Sequence, residues 1–135
     1  MIKSLLYISS PSQYLNNQEI HGILEHAQVK NSENNITGFL LYNNNLFVQL
    51  LEGLDTVIME TYERISNDLR HSHLIVLSNA ISDNRGFDGY YSGFNVFNSE
   101  DVLNDFKEYI SEVSALSVER NSDIFKIIEG ITKHM

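Results

Sequence analysis

The sequence predicts an α+β domain. Three observations carry that reading: apolar runs of strand length at residues 3–9, 36–42, 46–52 and 74–79, two stretches between them with apolar side chains at helical spacing, and two further helical stripes after residue 97. With 135 residues and 42% hydrophobic content, the chain suits one folded unit with a continuous core.

The first run, KSLLYIS at residues 3–9, ends before Pro11 and Ser12 and reads as a strand buried on both faces. Asn16 and Glu19 then stand in capping-box relation, with Leu15 and Ile20 placed as a hydrophobic staple, so a helix starts there. Its stripe is Ile20, Ile23, Leu24 and Ala27, and it is expected to fray across residues 30–35, where KNSENN competes for backbone hydrogen bonds. Residues 36–42 (ITGFLLY) and 46–52 (LFVQLLE) flank Asn43, Asn44 and Asn45, which tolerate positive φ, and together form a hairpin. Asp55 is placed to cap a second helix carrying Ile58, Tyr62, Ile65 and Leu69 and ending at Arg70 and His71. A fourth strand follows at residues 74–79 (LIVLSN), and a fifth at 91–97 (YSGFNVF).

The order is therefore βαββαβ plus one strand, which favours a ferredoxin-like mixed sheet with both helices on one face. The other face needs cover. Val102, Phe106, Tyr109, Ile110 and Val113 make one amphipathic stripe, and Ile124, Ile127, Ile128 and Ile131 make another, so two C-terminal helices can supply it.

Composition removes several function classes. The absence of cysteine excludes disulfides, thiolate metal sites and a cysteine nucleophile. A net charge of -9 disfavours nucleic acid and anionic membranes, both of which need clustered Lys and Arg. With neither a membrane span nor a secretory signal in the sequence, a cytoplasmic protein is expected. His71 and His73 lack a third ligand at a supporting spacing, so no metal is expected and both are read as structural.

Four local strings say more: LLYIS with Tyr7, NNITG with the upstream Asn31, FVQLLEG with Gln49, and RISNDLRH with Arg64, Asp68 and Arg70. Through these, from about residue 2 to residue 97, the chain resembles the BLUF family, sensors of blue light using flavin. The resemblance implies a photosensor core at residues 1–97 and a helical extension at 98–135. It implies a non-covalently bound flavin between the two helices, FAD first, with FMN or riboflavin as alternatives. It further implies that Tyr7 and Gln49 are the photoactive pair, that Asn31 meets the ring's polar edge, and that Ile23 and Ile65 clamp its faces. Asp68 and Arg70 are then expected near the pyrimidine edge, and Arg64 towards the ribityl and phosphate side. The expected function is a blue-light receptor, not an enzyme, in which electron and proton transfer from the tyrosine leaves the glutamine rearranged. Its output is expected to pass to a downstream signalling protein or through self-association of the C-terminal helices.

Physical reasons support those residue types. Strand alternation puts Tyr7 on the face of Leu5 and Ser9, and Gln49 on the face of Phe47 and Leu51, so the pair can meet. Gln49 lies among Val48, Leu50 and Leu51, where an amide without partners loses on the order of 1–3 kcal/mol. An amide also presents a donor at one end and an acceptor at the other, so reversing it changes what a ligand meets.

Blander readings exist for each residue: Tyr7, Ile23 and Ile65 as core, Asn31 as a helix terminator, and Arg64, Asp68 and Arg70 as solvated ion pairs. Two other functions compete: a light-insensitive adaptor of the same fold that has lost its chromophore, and a flavin-dependent redox enzyme. The latter lacks a nicotinamide fingerprint. The chain also departs from the family where a Trp-x-Met run is usual, having Tyr90, Tyr91 and Ser92. Ser92 is expected to take the methionine's place beside Gln49.

Overall fold

The computed structural model describes residues 1–13, 15–43, 45–83, 85, 94–97, 104, 107–108, 111 and 122–133. The chain runs β1 (Ile2–Pro11), α1 (Asn17–Glu33), β2 (Thr37–Asn43), β3 (Leu46–Leu54), α2 (Asp55–Ser66), β4 (His71–Ser82), β5 (Phe94–Phe97) and α3 (Ser122–Thr132). Strand order is β4-β1-β3-β2-β5, antiparallel except that β5 runs parallel to β2, so the sheet is mixed and ferredoxin-like.

Alternation along the strands divides the core in two. Leu5, Tyr7, Leu40, Phe47 and Leu51 face one way and pack with Ile20, Ile23 and Leu24 of α1 and Ile58 of α2. Leu6, Phe39, Leu41, Val48 and Leu50 face the other way and are joined by Ile128 of α3, which is fully buried. Ile127 and Ile131 pack against the same cluster, so α3 turns its described apolar side chains onto the sheet. The side chain of Ile124 and the stripe at residues 102–113 lie outside the described side chains.

Local chemistry accounts for most boundaries. The capping box at the start of α1 is present, with Glu19 N donating to Asn16 Oδ1 at 2.8 Å and Asn16 N donating to Glu19 Oε1 at 3.4 Å. The expected fraying is smaller than the sequence suggested. α1 continues to Glu33, Asn34 caps it, and Asn35 turns the chain at φ 57. In the hairpin, Asn45 takes φ 61, the role its residue type permits. Gly38 of the ITG string adopts φ 130, and a Cβ there would be driven into the Leu50 carbonyl, so only glycine suits this close approach of β2 to β3.

Two boundaries differ from expectation. Asp55 does not cap α2; it is the first helical residue, Leu54 holds the cap position without a side-chain bond, and Asp55 instead pairs with Lys3 at 3.3 Å. α2 also stops at Ser66, leaving Leu69 outside the helix and 91% exposed. Side chains end it: Ser66 Oγ and Asn67 Nδ2 both donate to the Glu63 carbonyl, at 2.9 and 3.0 Å, in competition with the helical ladder. β4 is longer than residues 74–79 at both ends. β5 covers the second half of the expected fifth strand, with residues 91–93 outside the described set.

Candidate functional site

Three sheet residues fix the site. Tyr7 of β1 lies directly across from Gln49 of β3, which lies directly across from Leu40 of β2, so the three form one row beneath α1 and α2. Tyr7 is 1% exposed and Gln49 3%. The Tyr7 hydroxyl donates to Gln49 Oε1, which orients the amide. At the other end, Gln49 Nε2 is buried and has no hydrogen-bond partner among the described residues. A buried amide donor left unsatisfied costs about 1–3 kcal/mol, so this position calls for an acceptor beyond the described residues.

Tyr7 is further held by Tyr62 of α2, whose ring meets it edge-on at 5.4 Å and 76°. Burial, with a smaller contribution from Tyr62, pushes the Tyr7 phenol well above the usual tyrosine range.

Gln49 opens onto a cavity of about 180 Å³. Leu40 and Gln49 contribute from the sheet, Ile23 and Asn31 from α1, and Ile65 from α2. Ile23 and Asn31 are buried, so these residues form an apolar floor with two amides in it. Helical spacing explains the α1 contribution, since Ile23, Ala27, Lys30 and Asn31 fall on one face of that helix. His26, Arg64 and Arg70 are exposed residues lining the same cavity and so form its mouth.

At that mouth, Arg70 and Asp68 are locked together. Arg70 Nη2 reaches Asp68 Oδ2 at 2.6 Å, and Arg70 Nε reaches the two carboxylate oxygens at 3.0 and 3.1 Å. The hydrogen bond from Arg70 holds the Asp68 carboxyl below its usual range, and Asp68 in turn raises Arg70. Lys30 and Arg64 have no ion-pair partner among the described residues.

The sequence-expected residues Ile23, Asn31, Gln49, Arg64, Ile65, Asp68 and Arg70 thus line one cavity. Tyr7 does not line it but acts on it through Gln49. Ser92, with Tyr90 and Tyr91, lies outside the described residues. Sequence reasoning missed His26 and Lys30, which the i, i+3, i+7 spacing from Ile23 could have revealed. It also missed His71, which lines the cavity from the start of β4. Across the sheet, His71 Nδ1 lies 3.4 Å from Ser9 Oγ, and its ring meets Phe47 edge-on at 5.0 Å. Burial lowers its pKa, with Asp68 opposing and Arg70 assisting. It follows Arg70 directly in RISNDLRH and its backbone N–H donates to the Asp68 carbonyl at 3.2 Å, so adjacency to the expected residues could have marked it.

A flat heteroaromatic with acceptors along one edge fits this set: apolar faces from Ile23 and Ile65, and amide groups at Asn31 and Gln49. Among the described residues there is no cluster able to hold a metal ion, and no helix is long and apolar enough to cross a membrane.

Comparison with known proteins points the same way. Over 86 residues, 64% of this chain, the sequence is 33% identical to a photoactivated adenylate cyclase subunit beta of Euglena longa, of which it spans 10%. The fold superposes on Klebsiella pneumoniae BlrP1 with FMN and cyclic diGMP at a TM-score of 0.75 and 25% identity, covering 98% of this chain and 35% of that one. It superposes on BlsA in its photo-activated state at a TM-score of 0.67 and 27% identity, covering 93% and 91%. Residues 2–93 match the family model described as BLUF, sensors of blue-light using FAD, and on that match over most of its length the chain belongs to the BLUF family of flavin-using blue-light sensors.

Proposed function

We propose that this chain is a blue-light receptor that signals by reorienting the Gln49 amide within its flavin site. The observation that supports this reading is the amide itself. Its oxygen is held by Tyr7, while its nitrogen is buried at the cavity without a partner.

When bound, the flavin supplies the blue-light absorption and a transient acceptor for one electron and one proton. Tyr7 is the donor of both, its proton leaving Oη towards Gln49 Oε1, along the hydrogen bond already in place. Gln49 relays the proton and, when electron and proton return to Tyr7, is left rotated or tautomerised, with donor and acceptor ends exchanged. Asn31 holds the ring's polar edge, Ile23 and Ile65 exclude water from its faces, and Asp68 with Arg70 closes one side. The amide is a two-state element with no net chemistry in the cycle, so the chain is a sensor rather than an enzyme.

The cofactor is FAD or FMN in preference to riboflavin. Two cations without an ion-pair partner among the described residues, Lys30 and Arg64, stand at the cavity in a chain of net charge -9, which suits a phosphate at the mouth and the ring on the floor. Residues 1–97 form the sensing core and residues 98–135 the extension, with Ser92 in the reporter role that the family usually gives to a methionine. The output goes to a downstream signalling protein in the cytoplasm by way of the C-terminal helices.

The test is the absorption spectrum of the purified protein before and after blue light. Flavin bands that shift reversibly to the red are expected. Protein without flavin would favour the adaptor reading, and light-driven turnover of an added substrate would favour an enzyme.

A further inference from the structure

Glu52 of β3 carries a side chain that the photochemistry does not use. It is 2% exposed and lies on the sheet face of Val48 and Leu50, away from the cavity. A carboxylate taken out of water needs donors. Thr37, its partner across β2 and β3, donates from Oγ1 to Glu52 Oε1 at 3.1 Å. The half-buried Arg85 joins them, its Nη1 donating to Thr37 Oγ1 at 3.0 Å and to the Glu52 backbone carbonyl at 2.9 Å. The threonine hydroxyl therefore accepts from a cation and donates to a carboxylate, an order in which each bond polarises the next.

Topology gives this clasp its reach. β4 ends at Ser82, paired with Ile2 of β1, and β5 begins at Phe94, paired with Gly38 of β2, so the chain between them passes from one edge of the sheet to the other. Arg85 comes three residues after Ser82 and is fastened to β3 and β2. On β3 the clasp lies three residues from Gln49, and on β2 three residues from Leu40, the residue paired with Gln49.

We propose that Arg85 is a positioning residue of the photocycle, which sets how long the rearranged Gln49 amide persists by tying the β2–β3 pair to the chain that enters β5. It does not line the cavity, so it acts through Thr37 and Glu52 and not on the flavin. This role rests on the light-receptor reading of the Tyr7–Gln49 pair. Light drives the forward change, so only the thermal return feels the stiffness of the strands around the amide. Strands held at Thr37 and Glu52 resist the relaxation that the return requires, and releasing them speeds it.

Dark recovery after a blue flash, followed in the full chain with its bound flavin, tests this. Arg85→Ala is expected to keep its flavin and the size of the red shift while recovering about three- to tenfold faster. Arg85→Lys retains a cationic donor and is expected to restore most of the parent lifetime. Thr37→Val removes the shared hydroxyl and is expected to speed recovery too, yet to add little to Arg85→Ala, because both open the same clasp. A general loss of stability would be neither rescued by lysine nor shared between the two positions. If Arg85→Ala failed to hold flavin, Thr37→Val alone would decide, faster recovery supporting the clasp and parental recovery overturning it. Recovery of Arg85→Ala at the parent rate, or effects of the two substitutions that multiply, would overturn the role of Arg85 and leave the photochemical reading standing. A parent that binds flavin but shows no red shift would overturn that reading, and the role of Arg85 with it.

Discussion

At the residue scale, the site turns on one buried pair: Tyr7 holds the Gln49 amide by its oxygen, while the amide nitrogen has no partner among the described residues. Tyr7 and Gln49 stood out because an amide inside an apolar run needs partners, and alternation then put both on one sheet face. Lys30 escaped notice because its solvated neighbours in KNSENN pointed to a fraying helix end, whereas α1 runs on to Glu33. His71 was read as structural, yet strand pairing sets it at the cavity between Ser9 and Phe47.

That histidine makes a testable pH signature. Its folded pKa is lowered by burial below the usual value of 6.5, so the unfolded chain binds the proton more readily. The contribution is fully present above the unfolded pKa and is lost as pH falls through the folded one. Asp68 is also lowered, but from 3.8, so its window lies in the acid range and does not overlap. Between pH 7 and pH 5.5, about the range a lowered histidine titrates in, urea unfolding of the parent should show stability falling as pH drops, and His71→Gln should flatten the slope. An unchanged slope in the variant would assign the pH dependence elsewhere.

At the element scale, order and type came through more faithfully than ends. The capping box, the hairpin and both helices on one face followed from the sequence pattern and are present. The end of α2 was missed because the apolar spacing continued to Leu69, while Ser66 and Asn67 had already turned the chain through bonds to the Glu63 carbonyl. For α3 the isoleucine stripe predicted a buried face, and Ile128 occupies it beneath the sheet. Ile128→Ala should therefore destabilise the protein by about 2–5 kcal/mol in urea unfolding while leaving flavin affinity near that of the parent, since the cavity is on the other face. A loss below about 1 kcal/mol would mean that α3 contributes little to the core.

At the scale of the whole molecule, one sheet separates two layers with different work. One layer holds the cavity and its buried Tyr7–Gln49 pair, and the other packs α3 against Leu6, Val48 and Leu50. Tyr7 and Leu6 are consecutive on β1 and face opposite layers, so a change at the pair has a short path through the sheet. The central claim is that the hydroxyl of Tyr7 drives the change in the Gln49 amide. Tyr7→Phe removes that hydroxyl alone and should retain bound flavin, because the cavity lining is untouched. The most direct measurement is the light-minus-dark absorption difference of this variant beside the parent. A reversible red shift is expected in the parent and none in Tyr7→Phe; a red shift of similar size in the variant would rule out Tyr7 as the donor.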